Sequence, residues 1–114
     1  MALIVQKFGG SSVADADKIR NVARIITDTY QKGNRVVAVL SAQGDTTDEL
    51  IDKAAELNPA ASKRELDMLL STGEQISCAL CAMAIEGMGF PVVSLTGWQA
   101  GFRTNSGYGN ARIK

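Results

Sequence analysis

The segment Val5-Gln6-Lys7-Phe8-Gly9-Gly10-Ser11-Ser12 places a lysine, two adjacent glycines and two hydroxyl residues directly after a short apolar run. Such a turn suits anion chemistry. Successive glycine amides can close on an oxygen that bulkier residues would hold away, and a lysine adds a compact charge suited to polyphosphate. A second polar loop, Ser41-Ala42-Gln43-Gly44-Asp45-Thr46-Thr47, follows the next apolar run. Its hydroxyls serve either turn formation and helix capping or the grip on a small hydrogen-bonding molecule. Glu74, after Thr72-Gly73, is either an early-helix acid favoured by the dipole or a carboxylate that recognises an ammonium group. A third, glycine-rich loop carries Trp98, a packing anchor or a ligand, and Arg103, a loop brace or a ligand. Neither the G-x-G-x-x-G nor the G-x-x-x-x-G-K-[ST] spacing is present. Pattern alone therefore leaves a phosphate cradle and a merely structural turn both open.

Positioning these residues requires elements that end where the loops begin. Leu3 to Phe8 reads as a strand, and Ile19, Val22, Ala23, Ile26 and Tyr30 recur at helical spacing over about 15–32, with Gly33 and Asn34 as the stop. The run Val36 to Leu40 is continuously apolar, as expected of an interior parallel strand covered on both faces. Thr46 or Thr47 is expected to cap a helix through Leu50, Ile51, Ala54 and Leu57, halted by Asn58-Pro59. Ser62 with Glu65 forms a capping-box pattern for a short helix to about Ser71; Thr72-Gly73 interrupts, and a further helix runs from Glu74 towards Gly87 or Gly89. Pro91 to Leu95 reads as a third strand, and Ala111 to Lys114 as the start of a fourth element. This alternation is α/β with a mainly parallel sheet, and it places all three polar loops at the carboxyl edge of the strands.

Composition narrows the function classes. Lys plus Arg and Asp plus Glu are both 12 in 114 residues, so no net field draws in nucleic acid or an anionic membrane. The charge is patterned, however: residues 1–40 hold six basic and three acidic groups, and residues 41–74 hold three basic and eight acidic. An anion-facing first segment followed by acidic helices fits that order. Cys78 and Cys81 lack the further ligands a structural zinc needs, and there is no histidine, so no protein-held metal is expected. They read as small buried side chains in a reducing compartment, with a redox pair as the alternative. No secretory pattern precedes Lys7, and Glu86, glycines and Pro91 interrupt the longest apolar stretch. A cytoplasmic protein with no membrane partner is expected.

Taken together, VQKFGGSSV, SAQGDTTDEL, SKRELDMLLSTGEQ and SLTGWQAGFRT resemble the amino-terminal part of the aspartate kinases, within the amino-acid kinase family. The resemblance covers essentially the whole chain. It implies the amino-acid kinase fold, a three-layer α/β/α sandwich of which residues 1–114 would be one portion, with the remaining catalytic segment and the regulatory ACT domains lying beyond. It implies ATP and Mg²⁺, with Lys7 catalytic and Lys7, Gly9, Gly10 and Ser11 at the phosphates; Ser41, Thr47 and Glu74 would serve the L-aspartate pocket. It also implies a homo-oligomer in the full-length protein and a role in lysine, threonine and methionine synthesis. The chain departs from the pattern at Gln43, where many relatives have methionine, and at Asn105 and Tyr108, where an acidic residue and a histidine are common.

The implied reaction suits these residues. A β-carboxylate with a pKa of about 4 is already an anionic nucleophile at neutral pH, so no general base is required. Alignment and charge neutralisation remain, with no histidine, cysteine or serine nucleophile expected. Because about half the expected shell lies elsewhere, the chain alone is expected to be inactive. A passive phosphate- or nucleotide-binding module and a structural piece that pairs with the rest of its domain are the competing readings.

Overall fold

The computed structural model describes residues 1–97, 99–101, 103, 106 and 107. The order is β1 (Leu3–Phe8), a 3-10 turn (Gly10–Val13), α1 (Ala16–Gln31), β2 (Arg35–Leu40), α2 (Thr46–Leu57) and α3 (Lys63–Gly87). Strands β1 and β2 pair in parallel, from Leu3 opposite Arg35 to Phe8 opposite Leu40. The crossover is α1. Asp15 caps it by accepting from the Lys18 amide at 2.9 Å, a bond typical of helix N-termini and worth about 1 kcal/mol.

Strand alternation divides the sheet into two unlike faces. Phe8, Val36, Ala38 and Leu40 join a core made by Val13, Ile19, Val22, Ala23 and Ile26 from the turn and α1, and by Cys81 and Ile85 from α3. The opposite face, carrying Leu3, Val5, Lys7, Arg35, Val37 and Val39, is exposed. Val37 and Val39 are 48% and 47% exposed, which corrects the expectation that β2 is covered on both faces. Both α1 and α3 pack on the first face, and no described helix lies over the second. Among the described residues the sandwich therefore has its sheet and one helical layer.

Three further expectations change. First, α3 is a single 25-residue helix rather than two. Gly73 lies inside it because the helix passes too close to Ala42 for a side chain there: an added Cβ would sit 2.9 Å from the Ala42 Cβ. Ser62 does cap α3, accepting from the Glu65 amide at 3.3 Å. Second, α2 starts with Thr46 as its first residue, after Asp45, and has no side-chain cap bond; neither threonine is the cap. Third, Pro91 to Leu95 forms no strand, since the sheet has only β1 and β2 among the described residues. A groove of about 1010 Å³ separates that segment from β2, and a strand without a ladder partner is not a strand. Phe90 anchors the segment's start by meeting Tyr30 edge-to-face at 5.9 Å. The expected fourth element at 111–114 falls outside the described residues.

By length and composition α3 is apolar enough to cross a membrane. In the fold it packs against α1 and α2, burying Gly73, Ser77, Cys81 and Ile85.

Candidate active site

Parallel pairing brings the loops after β1 and β2 to the same edge, as expected. The Ser41 amide donates to the Phe8 carbonyl at 3.1 Å and the Gly44 amide to the Gly10 carbonyl at 2.9 Å. From the side chain, Gln43 Nε2 donates to the Val13 carbonyl at 2.9 Å. The two loops are thus one hydrogen-bonded unit, and a ligand at one of them meets the other.

Within this unit Gly9 and Ser11 are exposed and Gly10 is half-buried. The first internal bond of the 3-10 turn runs from the Ser12 amide to the Gly9 carbonyl at 3.1 Å, so the amides of Gly10 and Ser11 precede it, in the position where helix-type turns leave donors for a ligand. An added Cβ at Gly9 would meet nothing within 4 Å, so there is open space for a phosphate oxygen. Gly10 is glycine for the opposite reason: its Cβ would lie 2.8 Å from the Ala42 carbonyl oxygen. Lys7 lies one residue before the end of β1, opposite Val39, on the open face. The residues present fit a polyphosphate approached from the strand ends.

On the second loop Ser41 is half-buried and Thr47 exposed in the first turn of α2. Thr46, its neighbour, turns its methyl towards Gly73 instead. Glu74 is exposed on α3, one residue beyond the Ala42 contact. The side chains of Lys7, Ser11, Ser41, Thr47 and Glu74 have no hydrogen bond or ion pair among the described residues, so all five are available to ligands.

The large groove touches this constellation only at Glu74. Its walls include Val37, Val39, Gln75, Cys78 and Thr96, and Lys7, Gly9, Gly10, Ser41 and Thr47 do not line it. Burial and then the nearby Glu74 carboxylate push the Cys78 thiol up from its ordinary value; burial and then Cys78 do the same for Cys81. Both thiols are protonated near neutral pH, which favours packing over redox chemistry. No group of three or more His, Cys, Asp or Glu that could hold a metal ion occurs among the described residues. Arg103 is exposed, whereas Trp98, Asn105 and Tyr108 lie outside the described residues. Two residues that join the site escaped the sequence reading: Ala42, whose small side chain carried no chemical signal, and Gln43, visible only as a departure from a motif.

A parallel α/β sheet with flanking helices matches the architecture of the amino acid kinases, and the chain belongs to that family. The family model for "Amino acid kinase family" matches residues 2–113. The chain is 56% identical over 113 residues to an aspartokinase of Geobacillus stearothermophilus, covering 99% of this chain and 28% of that protein. It is 58% identical over 113 residues to an aspartokinase of Mycolicibacterium smegmatis, covering 99% and 27%. Among solved structures, aspartate kinase from Synechocystis matches with a TM-score of 0.79 at 50% identity, over 82% of this chain and 16% of that one. The chain thus spans a little over a quarter of the length of these curated relatives.

Proposed function

We propose that these 114 residues supply the phosphate-binding edge and part of the amino-acid pocket of an aspartate kinase, which transfers the γ-phosphoryl group of ATP to the β-carboxylate of L-aspartate. The observation that carries this reading is the bond from the Gly44 amide to the Gly10 carbonyl at 2.9 Å. It makes the glycine turn and the hydroxyl loop neighbours, as a transfer between two bound substrates demands. Similarity to aspartokinases over 99% of the chain supports the choice of substrate.

In the proposed reaction a β-carboxylate oxygen forms a bond to the γ-phosphorus while the bond from that phosphorus to the bridging oxygen of ADP breaks. The products are 4-phospho-L-aspartate and ADP, and no proton moves at neutral pH. Lys7 and the amides of Gly9, Gly10 and Ser11 offset the charge on the phosphoryl oxygens. Mg²⁺, arriving with ATP, would supply further neutralisation of the phosphates. Ser41 and Thr47 orient the aspartate through their hydroxyls, and Glu74 accepts from its ammonium group. The remaining walls of the pocket come from the rest of the catalytic domain, so the chain alone is inactive. The parent protein is a cytoplasmic homo-oligomer whose product feeds lysine, threonine and methionine synthesis.

Trapping of aspartyl phosphate as its hydroxamate tests this. The chain alone should give no signal. A chimaera in which this chain replaces the matched segment of the Geobacillus stearothermophilus aspartokinase should turn over with ATP and aspartate. A folded chimaera without aspartate-dependent turnover would sink the reading.

A further inference from the structure

Ala42 is buried, 5% exposed, between two glycines that belong to different parts of the site. Its carbonyl oxygen would be 2.8 Å from a Cβ at Gly10, and its own Cβ would be 2.9 Å from a Cβ at Gly73. On the first side lies the glycine turn, held also by the bond from the Gly44 amide to the Gly10 carbonyl at 2.9 Å. On the second side lies the turn of α3 that carries Glu74, with Thr46 Cγ2 and Leu50 Cδ1 at 3.6 and 3.9 Å from the same added Cβ. Neither approach is cushioned by a flexible side chain: one neighbour is a backbone atom and the other is a methyl attached directly to the backbone.

We propose that Ala42 is a positioning residue, a spacer whose carbonyl and methyl set the separation between the glycine turn and the helical turn bearing Glu74. The inference rests on the assignment of those two parts to ATP and aspartate. A methyl group on Gly73 needs carbon–carbon separations of about 3.5–4.0 Å where 2.9 Å is available. Helix α3 must therefore retreat from the loop by up to about 1 Å, a displacement large enough to cost about 100-fold in a reaction that depends on alignment. The spacer has two distinct sides. Removing the Ala42 methyl makes room for a methyl at Gly73, whereas no substitution at residue 42 removes the carbonyl that opposes Gly10.

The test uses that difference in the chimaera, with KM for aspartate, KM for ATP and kcat measured separately, and thermal unfolding of the 114-residue chain recorded for the same variants. Gly73→Ala should raise the aspartate KM at least tenfold while the ATP KM stays within threefold. Adding Ala42→Gly should bring the aspartate KM back to within threefold of the Ala42→Gly single variant and recover any lost melting temperature. Gly10→Ala should instead raise the ATP KM, and Ala42→Gly should not restore it. Should Gly73→Ala fail to fold, recovery of folding and of aspartate KM in the double variant supports the spacer. A double variant that is no better than Gly73→Ala overturns it, as does a Gly73→Ala enzyme with unchanged aspartate KM. A parent chimaera with no aspartate-dependent turnover overturns the functional reading and the positioning role together; a normal parent with the wrong variant pattern overturns only the positioning role.

Discussion

The side-chain amide of Gln43 donates to the main-chain carbonyl of Val13 across 2.9 Å, tying the loop after β2 to the last residue of the turn after β1. Val13 is fully buried, so its carbonyl has little access to water as a substitute. Gln43→Ala should destabilise the chain by about 1–3 kcal/mol, the usual cost of stranding a buried polar group. That is a fall of several degrees in melting temperature for a domain of this size. Gln43→Met also forfeits the bond but keeps the bulk of the side chain, so its melting temperature should fall less. Equal losses in the two variants would show that the bond carries the whole effect.

Lys7 is exposed on the face of β1 turned away from the α1–α3 core. Lys7→Ala should therefore leave the melting temperature within about 1–2 °C, as substitutions at open surface positions generally cost less than about 0.5 kcal/mol. In the chimaera it should lower kcat by about 100-fold or more, the scale of losing one preorganised partner for the transition-state charge. Circular dichroism and hydroxamate trapping on one preparation check both halves.

Glu74→Gln keeps the shape of the side chain and removes its charge. Aspartate KM should rise about tenfold to 100-fold, matching the loss of a charge-assisted hydrogen bond of about 1.5–3 kcal/mol. The same variant has a second readout, because the Glu74 carboxylate helps hold the Cys78 thiol above its ordinary value. The pH profile of Cys78 alkylation should shift to lower pH in Glu74→Gln. An unmoved profile would place the carboxylate farther from Cys78 than the structure has it.

Burial, chiefly, raises both thiols above their ordinary value of 9.0. In the unfolded chain they ionise first, so above that pH the unfolded state binds fewer protons than the folded one and stability falls as pH rises. Below it both states are protonated and the thiols contribute no pH dependence. Urea midpoints taken between pH 7.5 and 10 should decline towards the alkaline end, and the decline should flatten in a Cys78→Ser, Cys81→Ala variant. Native-state alkylation at pH 8 should be slower than that of a free thiol.

Much of the first half of the fold was legible because its signals are local. Leu3–Phe8 matches the expected strand, and α1 needed only its apolar period and the stop at Gly33. The failures share one cause, contacts made between segments distant in the chain. Gly73 looks like a helix break in isolation; it is a packing contact with Ala42, which no local pattern encodes. Pro91 to Leu95 has the residues of a strand, yet strand formation requires a ladder partner, and β2 lies across a groove. Val36 to Leu40 promised two covered faces, and the described helices supply one. For the site, residue types offered a lysine–glycine turn, a hydroxyl loop and an acid at Glu74, each with a structural alternative; it was the family resemblance that assigned Lys7, Gly9, Gly10, Ser11, Ser41, Thr47 and Glu74. Only the parallel register, with the bonds from Gly44 and Gln43, shows that the first two loops are joined.

The register from Leu3–Arg35 to Phe8–Leu40 also sets how this segment can tolerate change in length. Side chains alternate along β1, so deleting a single residue between Leu3 and Gln6 would either slip the pairing or turn every strand residue ahead of the deletion to the opposite face, exchanging core-side and open-face positions. The same deletion among Asn58 to Ala61, between α2 and α3, leaves every strand neighbour in place. Lineages of this domain should therefore accumulate insertions and deletions in the helical connection while β1 keeps a constant count of residues ahead of its lysine.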